Sequence, residues 1–183
     1  MAVDTYIVSA DADDWYIKDA DPPTTGTNTL YASYVNTVSP SYYNMGYADV
    51  DTSGIPDSDP ITAANVKIDE AAYTSSRGVT KTYHVQIWNG SSFVVCTNGN
   101  LTFGASAADR TFALTATEIT YISKTAKTSF RVYVDDPAGA LFRDFQFYAR
   151  EFSFGLDAIR LEITHGAAII DIIGYGGVIP FER

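Results

Sequence analysis

A chain of 183 residues with a formal net charge of −10 and a pI near 4.4 is a poor fit to nucleic acid, because neutralising phosphates takes an excess of Lys and Arg. Its length suits one domain with a sizeable core, and 46% hydrophobic with 14% aromatic residues excludes a disordered composition. A single cysteine, Cys96, excludes an internal disulfide framework and fits synthesis in a reducing cytosol.

The opening residues carry no basic or apolar leader, and no stretch is long enough to span a bilayer, so neither a secretory signal nor a membrane is expected. Thr5 to Ser9 and Trp15 to Lys18 read as short strands around a loop. Asp19 to Asn28, with Pro22-Pro23 and Gly26, is a longer loop. Residues 1–60 hold ten Asp against one Lys, about −9, which is read as a solvated loop surface or a hard-cation site. Asp11, Asp13, Asp14, Asp19 and Asp21 are the Ca²⁺ candidates, since close carboxylates repel and a cation relieves them. Their spacing fails the EF-hand pattern, because Trp15 and Tyr16 stand where a ligand and a Gly belong.

Thr29 to Val35 and Tyr42 to Asp51 are strands, the second interrupted at Gly46. Ala63 to Ala71 alternates, with Ala64, Val66 and Ile68 inward and Asn65, Lys67 and Asp69 outward. Val85 and Ile87 alternate with Gln86 and Trp88, and Asn89-Gly90 predicts a type I′ hairpin into Ser91 to Val95. Phe112 and Leu114 mark a further strand. Thr115-Ala-Thr-Glu118 is a capping box, predicting a short helix from about Ala116 to Lys124, with Ile119 and Ile122 on one face.

Ser129 to Phe154 alternates on both sides of an Asp135-Asp136-Pro137…Gly139 turn, which predicts a long hairpin or strand pair with an aromatic buried face. Ile159, Leu161 and Ile163 form the inward side of a last strand. The sum is an all-β fold: a two-sheet antiparallel sandwich, jelly-roll-like, with one short helix. Residues 1–165 form the sandwich domain. Residues 166–183 form an apolar C-terminal tail, either a docking segment or the last strand. Its Ile169, Ile170, Ile172, Ile173, Tyr175 and Phe181 need cover, because exposed together they favour aggregation.

Two segments carry a resemblance. Asp51-Thr-Ser-Gly-Ile-Pro56 followed by Ile61-Thr-Ala-Ala-Asn-Val66, and Phe145-Gln-Phe-Tyr-Ala-Arg-Glu-Phe152 leading to Leu161-Glu-Ile-Thr164, resemble the DNRLRE-type β-sandwich domains of phage structural and bacterial surface proteins. The resemblance covers roughly residues 47–165. The family's arginine-rich run is absent, with Tyr47-Ala48-Asp49-Val50 in its place. The resemblance implies a jelly-roll fold and a structural or adhesive role, and brings no catalytic residue with it.

No catalytic constellation stands out. His84 and His165 lack metal-ligand spacing and read as solvated or hydrogen-bonded, and Cys96 reads as a small buried or half-buried residue. Gly104-Ala105-Ser106 lacks the second Gly of a nucleophile elbow. The chain is therefore expected to be no enzyme and to need no cofactor, Ca²⁺ aside. The leading expectation is a virion structural protein of a phage: a capsid decoration protein or related head or tail component. It would be made in the host cytoplasm and assembled with other capsid proteins or as a homo-oligomer, with the tail as docking segment. The alternative is a carbohydrate-binding module or host-binding adhesin, stacking a glycan on Trp88, Tyr133 and Tyr148.

Overall fold

The structure, a computed structural model, describes residues 1–10, 14–18, 29–35, 42–75, 82–102, 109–134, 142–148 and 159–166. In chain order the elements are β1 (Ala2–Tyr6), β2 (Asp14–Lys18), β3 (Thr29–Val35), β4 (Tyr42–Asp51), β5 (Ile61–Ser75), β6 (Thr82–Trp88), β7 (Phe93–Thr102), β8 (Asp109–Ala113), α1 (Ala116–Ile119), β9 (Lys127–Val134), β10 (Phe142–Tyr148) and β11 (Arg160–His165).

The fold is an all-β sandwich of two antiparallel four-strand sheets. One runs β1-β11-β5-β8. The other runs β7-β6-β9-β4; β2 pairs with β4 on the side opposite β9, and β3 pairs with the start of β4 and leads on to β10. β5 serves both: its first half pairs with β11 and β8, and its end pairs with β10. Neighbours in space are mostly distant in sequence, as in β4 against β9 and β5 against β11.

Period-two alternation delivers the core. Ala64, Val66 and Ile68 of β5, Phe112 of β8 and Leu161 and Ile163 of β11 face Ala48 and Val50 of β4, Phe130 and Val132 of β9, and Tyr83, Val85 and Ile87 of β6. Val8, Ile55, Leu114, Ile122 and Ile159 close the rim. Burying one such side chain stabilises the fold by about 1.5–3 kcal/mol, which sets the register of every strand that contributes.

Several elements depart from the sequence reading. β9 and β10 are not a hairpin: β9 lies between β4 and β6, and β10 between β3 and β5. Alternation identifies a strand and its faces and carries no information about its neighbour. The first strand lies at Ala2–Tyr6 rather than Thr5 to Ser9, with Val8 forming an isolated bridge to Val50. β4 runs on through Gly46, which pairs with Tyr16 on one side and Val132 on the other. Asp69, expected outward, is 5% exposed because Arg160 pairs with it at 2.8 Å.

The helix is one turn, Ala116–Ile119, instead of a run to Lys124. Its capping box forms, with Glu118 N–H donating to Thr115 Oγ1 at 3.3 Å and Thr115 N–H to Glu118 Oε2 at 2.7 Å. Ile119, Thr120 and Ile122 are β-branched and extend a helix poorly. Lys124 instead donates to the carbonyls of Asp57 and Asp59. In the β6–β7 hairpin the two loop residues are Gly90 and Ser91, one position later than expected. Asn89 N–H donates to Ser92 O, and Asn89 Oδ1 accepts both the Ser91 and Ser92 N–H groups. Gly90 takes φ 97, a conformation that suits glycine.

Candidate functional site

The side of the β4-β9-β6-β7 sheet turned away from the core carries Tyr47, Arg131, Gln86, Trp88, Phe93 and Val95. Their placement follows from register. Gln86 lies opposite Arg131 on one side and Val95 on the other, Tyr47 opposite Arg131, and Trp88 opposite Phe93. These are the outward partners of Ala48, Phe130, Val132, Val85 and Ile87, all of which are buried.

The side chains lie across the strands rather than standing off them. Arg131 Nε donates to Gln86 Oε1 at 2.6 Å, and the guanidinium sits 4.7 Å from the centroid of the Phe93 ring. Trp88 meets Phe93 edge to face at 5.2 Å, and Tyr47 meets the same ring at 5.8 Å although β9 and β6 separate their strands. Gln86 lies beneath this layer with 7% exposure, so its amide oxygen is committed to Arg131. Trp88 and Val95 remain 39% and 40% exposed. The guanidinium is thus held on three sides by a buried amide, an aromatic face and the sheet. Among the described residues no carboxylate pairs with it. An arginine fixed in this way is pre-organised to take a planar anion through its two terminal nitrogens.

Farther along the same face His84 packs against Tyr133 with the rings tilted by 31° and their centroids 4.9 Å apart, and pairs through Nδ1 with Asn100 Oδ1. Both rings of this second pair are half-buried, and they extend the aromatic surface toward the middle of β6.

Other polar clusters are consumed internally. His165 is buried, with Nε2 2.9 Å from Asp4 Oδ2 and Nδ1 3.0 Å from Asp59 Oδ2, and with the Tyr6 hydroxyl 3.3 Å from Nε2. Hydrogen bonds to Asp59 and then Asp4 hold its pKa above the ordinary histidine value, against the effect of burial. Both ring nitrogens are occupied, so it is a tie between β1, β11 and the loop before β5. A shallow cleft of about 340 Å³ opens beside Thr5, Tyr6, Ser9, Asp51 and Ser53. Its acid, Asp51, accepts from the Ser53 hydroxyl at 2.7 Å and the Ser53 N–H at 3.1 Å, which keeps the carboxyl below the usual range. Burial and the Glu118 charge push the Cys96 thiol up to about 12.

Of the residues singled out from sequence, Trp88 and Tyr133 do lie on this one face. Tyr148 lies on β10, on the far side of β4 and β3 from them, and its side chain is outside the described residues. Asp14 lies in β2 opposite Ala48, while Asp11, Asp13, Asp19 and Asp21 fall outside the described residues. The tail residues Ile169, Ile170, Ile172, Ile173, Tyr175 and Phe181 fall outside them too. Among the described residues no group of three or more His, Cys, Asp or Glu is placed to hold a metal. The sequence reading missed Tyr47, Arg131, Gln86 and Phe93. The available signal was that Gln86 and Arg131 share an outward parity with Trp88 and Tyr133. No protein-family model matches the chain, and no curated protein is found to be similar to it.

Proposed function

We propose that this chain is a non-enzymatic structural protein of a virion, a phage capsid decoration protein or a related head or tail component, and that the Arg131 face is one of its docking surfaces. The supporting observation is the make-up of that face. Trp88, Phe93, Tyr47 and Arg131 lie together on a sheet backed by a closed core, with Trp88 and Val95 exposed. Trp, Tyr and Arg dominate the energetic centres of protein interfaces, and Phe is enriched there with them. The rigid backing lowers the entropy lost on docking. Mass spectrometry of purified particles tests the reading: the chain is expected at stoichiometric levels, and its absence from particles overturns it.

A second reading, a carbohydrate-binding or host-adhesion module, is favoured by one observation. Trp88 exposes part of its ring and has no hydrogen-bond partner for its indole N–H among the described residues. Such a ring can stack on a pyranose while the N–H binds a hydroxyl. Saturable glycan binding lost in Trp88→Ala selects this reading. A glycan array without binding removes it.

A further inference from the structure

Among the described residues the first three residues of β7 are an open sheet edge, and the guanidinium beside them meets no carboxylate. Among the described residues β7 pairs with β6 alone. Asn89 N–H bonds to Ser92 O, so Asn89 and Ser92 form a hydrogen-bonded pair. Antiparallel pairs alternate, so Trp88 and Phe93 are a non-bonded pair, Ile87 and Val94 a bonded pair, and Gln86 and Val95 again non-bonded. The main-chain N–H and C=O groups of Phe93 and Val95 therefore point away from β6. Among the described residues nothing pairs with them.

The edge closes immediately afterwards. The register jumps between Gln86↔Val95 and His84↔Asn100, so residues 96–99 form a bulge opposite Val85. Thr97 N–H and its hydroxyl both donate to Glu118 Oε1, at 2.6 and 2.9 Å, and Asn98 Nδ2 donates to Ala113 O at 2.9 Å. Natural sheets blunt their edges in such ways, and here the blunting starts only after Val95. The short open part is the part flanked by exposed Trp88, exposed Val95 and Arg131.

We propose that this edge takes an extended segment of a partner protein as an added strand, and that the segment carries a carboxylate which pairs with Arg131. This rests on the docking role proposed above and names the chemistry of the partner. Phe93 and Val95 supply up to four main-chain hydrogen bonds. Alternate apolar side chains of the segment cover Phe93, Val95 and the edge of Trp88. The carboxylate takes the two terminal nitrogens of a guanidinium already fixed by Gln86 and Phe93. Charge selects the occupant. The chain as a whole carries −10, yet this face presents a cation with no acid against it among the described residues. A second copy is the poorer fit, because two-fold pairing of β7 with itself brings two unpaired guanidiniums to one seam.

The test uses the full chain and two short synthetic peptides of alternating Val and Thr, one with a central Glu and its twin with Gln. Binding is read by fluorescence anisotropy. The Glu peptide is expected to saturate and to bind about tenfold more tightly than the Gln peptide, the factor for one charge-assisted hydrogen bond. Arg131→Gln should make the two peptides bind alike. Val95→Pro removes an outward N–H donor at a tolerated edge position and should weaken both. Melting curves of each variant show whether it remains folded, and the wild-type comparison of the two peptides decides even where a variant does not. Equal binding of the two peptides to wild type, or no saturation of either at millimolar concentration, overturns the proposal. So does self-association through β7 that Val95→Pro abolishes, or binding of an acidic glycan but neither peptide. The particle measurement is separate: a chain present in particles that binds neither peptide leaves the virion reading standing and removes this one.

Discussion

Replacing His165 with Gln should remove a pH-dependent part of the stability, and its direction follows from geometry. The ring is 5% exposed and meets a carboxylate at each nitrogen, 2.9 Å from Asp4 and 3.0 Å from Asp59. A neutral imidazole can donate at only one nitrogen, so one carboxylate then faces a lone pair; the imidazolium donates to both. A charge-assisted hydrogen bond contributes about 1.5–3 kcal/mol. Asp4 is half exposed and Asp59 a third, which weakens each through solvent screening. The charged form should therefore stabilise the fold by about 2 kcal/mol over the neutral form, allowing for that discount. Because the folded pKa is raised, the contribution is complete below the unfolded value of about 6.5 and is lost as pH rises through the folded value. The Tyr6 hydroxyl beside the ring is itself pushed up, by burial first and then by Asp4 and Asp59, so its titration stays out of this window. Urea unfolding at fixed ionic strength from about pH 5.5 to about pH 9 is the assay. Wild type should lose stability across the upper half of that range while His165→Gln stays flat. Parallel curves for the two proteins, or wild-type stability rising with pH, would refute the reasoning.

Glu118→Ala should cost about 3 kcal/mol, because one carboxylate accepts from Thr115 N–H, Thr97 N–H and the Thr97 hydroxyl, and its loss leaves part-buried donors unpaired. Burial alone would raise the Glu118 pKa, but those hydrogen bonds outweigh it and hold it low; its contribution is present above its unfolded value and is lost as pH falls through the folded one, which acid titration of unfolding will show. Cys96, pushed up to about 12, should ignore a thiol reagent at pH 8 in the folded chain and react once the chain is unfolded; rapid labelling of the native protein would contradict its burial. Gly99→Ala should destabilise by about 1–3 kcal/mol, since a Cβ there meets the Cys96 Cβ at 2.9 Å and the Val85 carbonyl at 3.0 Å. Gly90→Ala, strained only by its φ of 97, should cost about 1–2 kcal/mol, and thermal melts will rank the two. Truncation after Gly166 tests the apolar tail: a chain that melts normally but no longer enters particles is the expected result, and failure to fold assigns the segment to the core.

Strand positions and core faces were readable because side-chain parity is local. Ala64, Val66 and Ile68, or Leu161 and Ile163, declare an inward side from their own neighbours, and all of them are buried. The capping box was readable for the same reason, since Thr115 and Glu118 are three residues apart. Pairing is a different kind of fact. Alternation on both sides of Asp135-Asp136-Pro137 made β9 and β10 read as partners, yet β9 buries Phe130 and Val132 between β4 and β6. The Arg131 face suffers most from this. Trp88 and Tyr133 were visible as outward aromatics, whereas Arg131 is 45 residues from the Gln86 that fixes it. That no carboxylate among the described residues pairs with it is a property of every side chain placed around it on β4, β6 and β7. None of those strands adjoins β9 in sequence, so only the fold could reveal that Gln86 and Phe93 meet at the guanidinium.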